Sequence, residues 1–486
     1  MGEQILVIDA GTTSTRAMVF APDGTLLRAA QAELTQHYPR PGWVEHDAAE
    51  IWARSLACAR EAVGREAGAI ACIGITNQRE TVVAWDRASG EPLARAIVWQ
   101  DRRTADLCSA MKEAGREPEV QAATGLLLDP YFSATKMRWL LDNDAEVAGI
   151  PGDRLAFGTV DSWLACKLTG GAHISDASNA SRTMLLRLEG AQFDSGLCEW
   201  FGLPRGSLPE VVDTHGLLGE SAPQWFGRAL PLCGLIGDQQ AAAVGQACLA
   251  PGMTKATFGT GAFVLTTMGE ALPRSQHRLL GTVLTQAAGR RTYALEGSVF
   301  VAGSLIKWLR DSLGLVGSAA ETEALARSIP DSGGVTLVPA LSGLGAPHWR
   351  PEARGVIAGL SFSTGRAQIA RAALEAMAQQ THDLAEAFAA DGAPWRRLRI
   401  DGGMSANDWM AQDLADILRL PVERPDFVET TALGAAICAA VGAGIHGSLE
   451  SAAAAMRGST RAFAPEMSEP VRADRLDRWR RALAAG

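Results

Sequence analysis

The chain has 486 residues, which is enough for two or three domains that each bury a core. It carries a net charge of -9 from 45 basic and 54 acidic residues, and it contains no run of lysine and arginine of the kind that follows a nucleic-acid backbone. Nucleic acid and anionic membranes are therefore not expected as partners. The eight cysteines form no Cys-x-x-Cys pair and lie in apolar stretches, which is typical of reduced thiols and predicts a cytoplasmic location.

Strands and helices alternate along the chain, which predicts an α/β protein. The first predicted strand lies in ILVIDAGTTSTRAMVF, residues 5–20, and ends at Asp9. A carboxylate at the end of a buried strand, followed by glycine and hydroxyl groups, offers an anion for Mg²⁺ beside N–H and O–H donors for phosphate. An ordinary hairpin with good turn residues explains this segment equally well when it is taken alone.

A helix and a buried strand follow the first hairpin. Asp47 and Glu50 have the spacing of a capping box before the helix IWARSLACAREAVGRE, and the strand is AIACIGIT. Arg79 and Glu80 come directly after that strand, in GITNQRETVVAWD. A cation and a carboxylate at a strand end can bind adjacent hydroxyl groups, but a surface ion pair is the simpler reading of these two residues alone.

Two aromatic residues lie in the next blocks, Trp99 in AIVWQDRRT and Tyr131 in DPYFSATKMRWLLDN. Aromatic rings can pack against the C–H face of a small polyol, although most such residues belong to the core. Further along, LCGLIGDQQAAAVGQ places Asp238 and Gln239 at the start of an alanine-rich helix. Asp238 there could cap the helix, or it could accept a proton from an attacking hydroxyl if it lies at the rim of a cleft.

The opening pattern recurs in TKATFGTGAFVLTT, residues 254–267. Two such turns predict a duplicated domain that holds a nucleotide between facing hairpins. Pro251 and Gly252 mark a boundary, so we expect an N-terminal domain of residues 1–246 and a C-terminal domain of residues 247–486. No Walker-type sequence and no G-x-G-x-x-G occurs, which argues against a P-loop or a Rossmann site.

Three elements are predicted in the last third of the chain. Thr364 is placed to cap the helix GRAQIARAALEAMAQQTHDLAEAF, and LRIDGG reads as a strand that runs into a glycine turn. The longest uncharged stretch is TALGAAICAAVGAGI, which is shorter than a bilayer requires. Its glycine and alanine content predicts a closely packed buried helix.

Taken together, these blocks resemble the FGGY family of carbohydrate kinases from the first strand to about residue 445. Both family signatures are present, one in YFSATKMRWLLDN and the other in GVIAGLSFSTGRAQIARAALE. Other close matches are ITNQRETVVAWD, AIVWQDRRT, TVDSWLACKLTGG, SDASNASRTML, YALEGSVFVAG, SGLGAPHW and ETTALGAA. The resemblance implies an α/β fold of two actin-like ATPase domains of the ribonuclease-H-like type, with the active site in the cleft between them.

The resemblance also implies roles for matching residues. A polyol pocket would be lined by Arg79, Glu80, Trp99, Tyr131, Asp238, Gln239 and Phe263, with Asp238 as general base. Phosphate contacts would come from Thr12, Thr13, Ser14, Arg16 and Thr260. Mg²⁺ would bind near Asp9, and the nucleotide would be bounded by Gly303, Lys307, Gly403 and Asn407.

The activity implied is ATP-dependent phosphorylation of a small polyol, above all glycerol to sn-glycerol 3-phosphate, in a homo-oligomer of two or four chains. One alternative is a kinase of the same family for erythritol or xylulose. Another is an actin-like ATPase without a small-molecule acceptor, which would hydrolyse ATP in the absence of any alcohol and would leave Arg79, Glu80, Trp99 and Asp238 unexplained.

The sequence departs from the family pattern at several positions. Ala10 stands where the glycerol-specific members usually carry Gln, Lys307 replaces a frequent Gln, and Arg350 reverses a charge in HWRPEARG. Residues 214–234 lack the Gly-Gly-Thr-Arg type of segment that some bacterial members use to bind a sugar bisphosphate inhibitor, so that regulation is not expected. None of these departures affects the seven pocket residues.

Overall fold

A computed structural model describes residues 3–350, 352–427 and 429–485. Two large mixed sheets organise the chain. The first sheet has the order β5-β6-β4-β1-β2-β3, and its strands are β1 (Gln4–Ala10), β2 (Ser14–Phe20), β3 (Leu26–Glu33), β4 (Ile70–Asn77), β5 (His215–Glu220) and β6 (Pro231–Gly237). The second has the order β9-β10-β8-β7-β11-β12-β13, and its strands are β7 (Thr254–Phe258), β8 (Ala262–Gly269), β9 (Leu280–Ala287), β10 (Arg290–Val299), β11 (Leu398–Asp401), β12 (Val422–Pro425) and β13 (Thr460–Phe463).

The two sheets share one arrangement around their first strands. β1 pairs antiparallel with β2 and parallel with β4, and β7 pairs antiparallel with β8 and parallel with β11. In each sheet a hairpin turn therefore lies at the same edge as the carboxyl end of a parallel strand, where ligands bind in α/β folds. The predicted duplication of an α/β unit is confirmed.

Helices flank the sheets, and short strands form small additional pairs. The helices are α1 (Ala48–Val63), α2 (Ala105–Glu113), α3 (Glu117–Thr124), α4 (Ser133–Asn143), α5 (Ala145–Gly149), α6 (Val160–Thr169), α7 (Ala177–Ala180), α8 (Ser195–Trp200), α9 (Pro223–Phe226), α10 (Asp238–Gly245), α11 (Gly303–Asp311), α12 (Glu321–Arg327), α13 (Arg366–Ala390), α14 (Asp408–Leu418), α15 (Thr430–Gly442), α16 (Leu449–Met456) and α17 (Glu469–Ala485). The short strands are Glu45–His46, Val83–Asp86, Ala96–Ile97, Leu155–Gly158, Ile174–Asp176, Glu210–Val212, Thr336–Val338 and Val356–Ala358.

Two predicted helix starts differ in detail from the structure. Asp47 caps α1, but Glu50 does not complete a capping box, because its carboxylate accepts hydrogen bonds from the backbone and the hydroxyl group of Thr35. The prediction that Thr364 caps the long helix is wrong. Gly365 is the N-cap of α13, and the Thr364 hydroxyl accepts a hydrogen bond from the backbone N–H of Ser361.

The predicted buried helix near residue 431 is confirmed as α15, which packs against the first sheet although it lies between β12 and β13 of the second sheet in sequence. Small residues make this approach possible. A Cβ atom on Gly74 of β4 would lie 2.7 Å from the carbonyl oxygen of Ala435, and one on Gly234 of β6 would lie 2.8 Å from the nitrogen of Ala439. The chain therefore returns to the first sheet after β12, and the boundary near residue 246 stays a prediction.

The cysteines and helices agree with the composition. All eight cysteines are buried and have free thiols. No helix in the described part of the chain combines the length and the apolar character that crossing a bilayer requires.

The close contact of α10 with α15 gives a test of the fold. A Cβ atom on Gly434 would lie 1.8 Å from the carbonyl oxygen of Ala241. Backbone atoms cannot move aside as side chains do, so Gly434→Ala should destabilise the protein by about 1–3 kcal/mol despite the better helix propensity of alanine. We expect a lower melting temperature in differential scanning fluorimetry.

The matched control is Gly149→Ala at the end of α5, where an added Cβ atom meets nothing within 4 Å. This variant should melt at the wild-type temperature or slightly above it. Equal melting temperatures for the two variants would contradict the tight contact between α10 and α15.

Candidate active site

A small cavity lies at the carboxyl ends of β4 and β6, facing the β7–β8 turn. Its volume is about 170 Å³. All seven residues predicted for a polyol pocket line it: Arg79, Glu80, Trp99, Tyr131, Asp238, Gln239 and Phe263. Thr12 and Thr260, from the two hairpin turns, line it as well. The structure thus brings residues from six separate segments of sequence to one place.

A buried ion network forms the floor of this cavity. Arg79 Nη1 lies 2.6 Å from Glu296 Oε2, and Arg182 Nη2 lies 2.9 Å from Glu296 Oε1. Arg182 Nε also donates to Glu80 Oε1 at 2.6 Å. The four side chains are at most 2% exposed. The interpretation of Arg79 and Glu80 as a surface ion pair is therefore wrong.

The network balances two guanidinium groups against two carboxylates. Burial opposes ionisation of Glu296, but the charges of Arg182 and Arg79 lower its pKa to about 2. Glu80 has a backbone φ of 62°, a left-handed conformation that is uncommon for residues other than glycine. Such strain is maintained only when the surrounding contacts fix it, and it is often found at functional sites.

Asp238 is the first residue of α10, directly after β6. Its Oδ1 atom lies 3.3 Å from Arg79 Nε, and its side chain is 28% exposed. Burial raises the pKa of Asp238, while Arg79 and Lys255 act to lower it. Gly237 is the N-cap of α10, so Asp238 does not serve as the cap.

Three aromatic rings form one wall of the cavity. The ring of Trp99 lies 5.6 Å from that of Tyr131 and 6.0 Å from that of Phe263, and both pairs have edge-on geometry. Trp99 Nε1 donates to Thr12 Oγ1 at 2.9 Å, which connects this wall to the turn of the first hairpin. An apolar wall opposite charged groups suits a ligand that has both C–H and O–H groups.

A second, larger cavity of about 580 Å³ lies beside the first. Five residues predicted for the nucleotide line it: Thr260, Gly303, Lys307, Gly403 and Asn407. Gly259 and Thr260 line both cavities, so the turn of the second hairpin is where the two meet. A Cβ atom on Gly303 would lie 2.5 Å from the carbonyl oxygen of Gly259, so glycine is required for this packing.

The remaining four predicted residues line neither of these cavities: Asp9, Thr13, Ser14 and Arg16. Arg16 forms an ion pair with Glu429 instead of facing open space. Asp9 lies close enough to Arg16, Asp238 and Glu429 to feel their charges. Burial raises the pKa of Asp9 to about 7, and the charge of Arg16 opposes this rise. The negative charges of Asp238 and Glu429 add smaller contributions to the rise.

Sequence reasoning missed three charged residues that support the site: Lys255, Arg182 and Glu296. All three are buried. The available signal was a charged residue inside an otherwise apolar or small-residue segment, as for Glu296 in YALEGSVFVAG. Such residues need buried partners, but the partners are distant in sequence and the pattern does not identify them.

Two models of one protein family match this chain. The model described as the FGGY family of carbohydrate kinases, N-terminal domain, matches residues 4–245, and the C-terminal domain model matches residues 254–443. The chain belongs to the FGGY family of carbohydrate kinases. The fold predicted from the resemblance, two actin-like ATPase domains, is confirmed with it.

Several similar proteins of this family are glycerol kinases. A glycerol kinase of Alcanivorax borkumensis is 52% identical over 99% of this chain and 97% of its own length. A glycerol kinase of Cereibacter sphaeroides is 53% identical over 99% of both chains. The crystal structure of Plasmodium falciparum glycerol kinase with ADP superposes with a TM-score of 0.93 at 34% identity, covering 100% of this chain and 99% of that one.

The ion network beneath this FGGY kinase site gives the next prediction. Glu296→Gln keeps the shape of the side chain but leaves two buried guanidinium groups facing the single carboxylate of Glu80. Removing one partner of a buried ion pair costs about 3–5 kcal/mol, so the melting temperature should fall clearly.

Asp477→Asn is the matched control for Glu296→Gln. Asp477 pairs with Arg480 on the surface of α17, and both side chains are more than half exposed. Screened surface pairs contribute little, so this variant should melt like the wild type. An unchanged melting temperature for Glu296→Gln would show that the network does not stabilise the fold.

Proposed function

We propose that this chain is a glycerol kinase, which transfers the γ-phosphoryl group of ATP to glycerol and yields sn-glycerol 3-phosphate. The small cavity takes the acceptor, and the larger one takes the nucleotide. They meet at Gly259 and Thr260, so an acceptor hydroxyl and a phosphate chain can reach one another there.

Two buried polar atoms beside the small cavity give this proposal its main support. Arg79 Nε and Asp238 Oδ1 are buried, face one another at 3.3 Å, and have no hydrogen-bond partner among the described residues. A buried donor and a buried acceptor without partners cost free energy unless a ligand satisfies them. A hydroxyl group accepts from one and donates to the other, and a cavity of about 170 Å³ favours an acceptor with few heavy atoms.

Asp238 is the general base of the proposed reaction. Its carboxylate accepts the proton of the hydroxyl that attacks the γ-phosphorus, and Arg79 keeps it oriented. Arg79 and Glu80 hold the other hydroxyls, while Trp99 and Phe263 cover the carbon face. Phosphoryl transfer has a loose transition state, so positioning and neutralisation of charge supply most of the rate acceleration.

The residues around Asp9 fit a Mg²⁺ ion. Asp9 has a pKa near 7 because it is buried and because Asp238 and Glu429 add negative charge, and a divalent cation would favour its ionised form. When bound with ATP, Mg²⁺ neutralises charge on the phosphates. We propose Asp9 as the residue that holds the ion, directly or through water.

The hairpin residues complete the proposed phosphate site. Thr12 and Thr260 line the acceptor cavity from opposite sheets, and Thr13 and Ser14 follow Thr12 in the first turn. Arg16 would exchange its partner Glu429 for phosphate when ATP binds. Lys307 lines the nucleotide cavity, so this departure from the family pattern adds a cation beside the phosphates.

A homo-oligomer and a cytoplasmic location complete the proposal. Leu360 and Phe362 are 61% and 114% exposed on the segment before α13, and exposed apolar side chains of this size favour contact with another chain. Light scattering after size exclusion would give the number of chains.

The role of Asp238 can be tested by one substitution. Asp238→Asn keeps the shape of the side chain but removes the proton acceptor, so kcat should fall by about 10² or more. Glycerol binding measured by calorimetry should persist, because the amide still offers an oxygen to the ligand. Asp477→Asn, the surface control, should retain wild-type kcat; wild-type turnover in Asp238→Asn would remove Asp238 from the role of base.

The acceptor is tested by ADP release with glycerol, erythritol, xylitol, D-xylulose and 1,2-propanediol. Glycerol should have the highest kcat/KM, because the aromatic wall excludes longer chains. 1,2-Propanediol should have a lower kcat/KM than glycerol, because it leaves one polar group of the pocket unpaired at a cost of about 1–3 kcal/mol. A higher kcat/KM for a four- or five-carbon compound would reject glycerol as the substrate, and ADP release without any acceptor would favour an ATPase.

A further inference from the structure

Lys255 is a fully buried lysine beside the acceptor cavity, on β7. Its Nζ atom donates hydrogen bonds to Gln239 Oε1 and to Thr257 Oγ1, the latter at 2.9 Å. Gln239 belongs to α10 and Lys255 to the second sheet, so this contact joins the two halves of the chain at the acceptor cavity. Desolvation of a lysine ammonium is unfavourable, so an apolar residue would fill this position in the sheet at lower cost.

The contact fixes which way the Gln239 amide points. An ammonium group only donates hydrogen bonds, so it must meet the oxygen of the amide and never its nitrogen. Gln239 Nε2 is then directed away from Lys255, and no described residue accepts a hydrogen bond from it. Because Gln239 lines the acceptor cavity, its amide N–H groups are available to an oxygen of the ligand there.

We infer that Lys255 is a positioning residue, which holds the Gln239 amide with its N–H groups toward an acceptor hydroxyl. This inference rests on the proposed function and deepens it. Without Lys255 the amide can rotate by half a turn and present its oxygen instead, and then it no longer donates to the hydroxyl oxygen.

The charges around Lys255 explain how an ammonium is retained there. Burial lowers the pKa of Lys255 and Arg79 adds to this effect, whereas Asp401, Glu296 and Asp238 favour the protonated form. Asp401 Oδ2 itself accepts from Gln246 and Thr430, at 2.9 and 2.5 Å, so Lys255 does not depend on a direct bond to that carboxylate. The direct bonds of Lys255 go to Gln239 and Thr257.

A double-mutant cycle tests the inference, with Lys255→Met, Gln239→Met and the two combined. Methionine keeps the length of each side chain and removes its hydrogen bonds. Steady-state KM values for the acceptor and for ATP are measured for all four proteins, using the acceptor that the wild type phosphorylates best. If the wild type phosphorylates no alcohol, the proposed function fails, and this outcome is separate from a failure of the cycle.

We expect Lys255→Met to raise the KM for the acceptor about tenfold, as for the loss of one hydrogen bond, and to leave the KM for ATP within about twofold. The double variant should have the same acceptor KM as Gln239→Met alone, because Lys255 acts only through Gln239. Multiplicative effects of the two substitutions, or a rise in the KM for ATP equal to that for the acceptor, would overturn the inference.

If Lys255→Met does not fold, Lys255→Gln takes its place in the cycle. Its amide N–H group is uncharged but can donate in the direction of Gln239. Because this amide can accept as well as donate, it no longer forces one orientation on Gln239, so Lys255→Gln alone should raise the acceptor KM. Disappearance of this rise in the Gln239→Met background would support the inference, and a rise by the same factor in both backgrounds, or no rise in either, would overturn it. A merely structural lysine would lower the melting temperature without changing the ratio of acceptor KM to ATP KM.

Discussion

The pairing of Glu296 with Arg79 and Arg182 is the constraint on which the site depends. Glu296 comes from the second sheet and the two arginines come from segments attached to the first, so the pairing joins the two sheets across the cleft. Four buried charges are tolerated only while every one has its partner. The network therefore defines how the sheets meet. Because Arg79 also pairs with Asp238, the position of the Asp238 carboxylate depends on the same network.

The duplicated sheet explains why two different cavities lie side by side. Each hairpin turn lies at the carboxyl edge of its own sheet, and the two edges face one another. The first sheet and its attached segments supply most of the charged and aromatic side chains around the small cavity. The second sheet and its attached segments supply the lining of the large cavity, which includes Gly259, Gly303 and Gly403.

Sequence patterns predicted what is local and missed what is distant. The strand before Arg79, the helix at α15 and the seven cavity residues were predicted, because periodicity and family motifs record them directly. Thr364 failed as a cap because its hydroxyl has a competing partner within its own turn. Glu296 was assigned no role, because its function depends on ion pairs with two arginines more than a hundred residues away. For the same reason, the ion pair between Arg16 and Glu429 was not predicted.

Three segments of the chain connect the two sheets: the segment after α10, the segment from β12 to α15, and the segment from α16 to β13. Gln246 follows α10 and Thr430 begins α15, and both donate to the same oxygen of Asp401. Arg457, which follows α16, donates to the backbone oxygen of Gln246, so the three connections lie side by side. Two bodies joined by several adjacent segments can rotate about the line through those segments, but they cannot slide past one another freely. Any opening of the cleft is therefore restricted to rotation about this line, which passes beside Asp401.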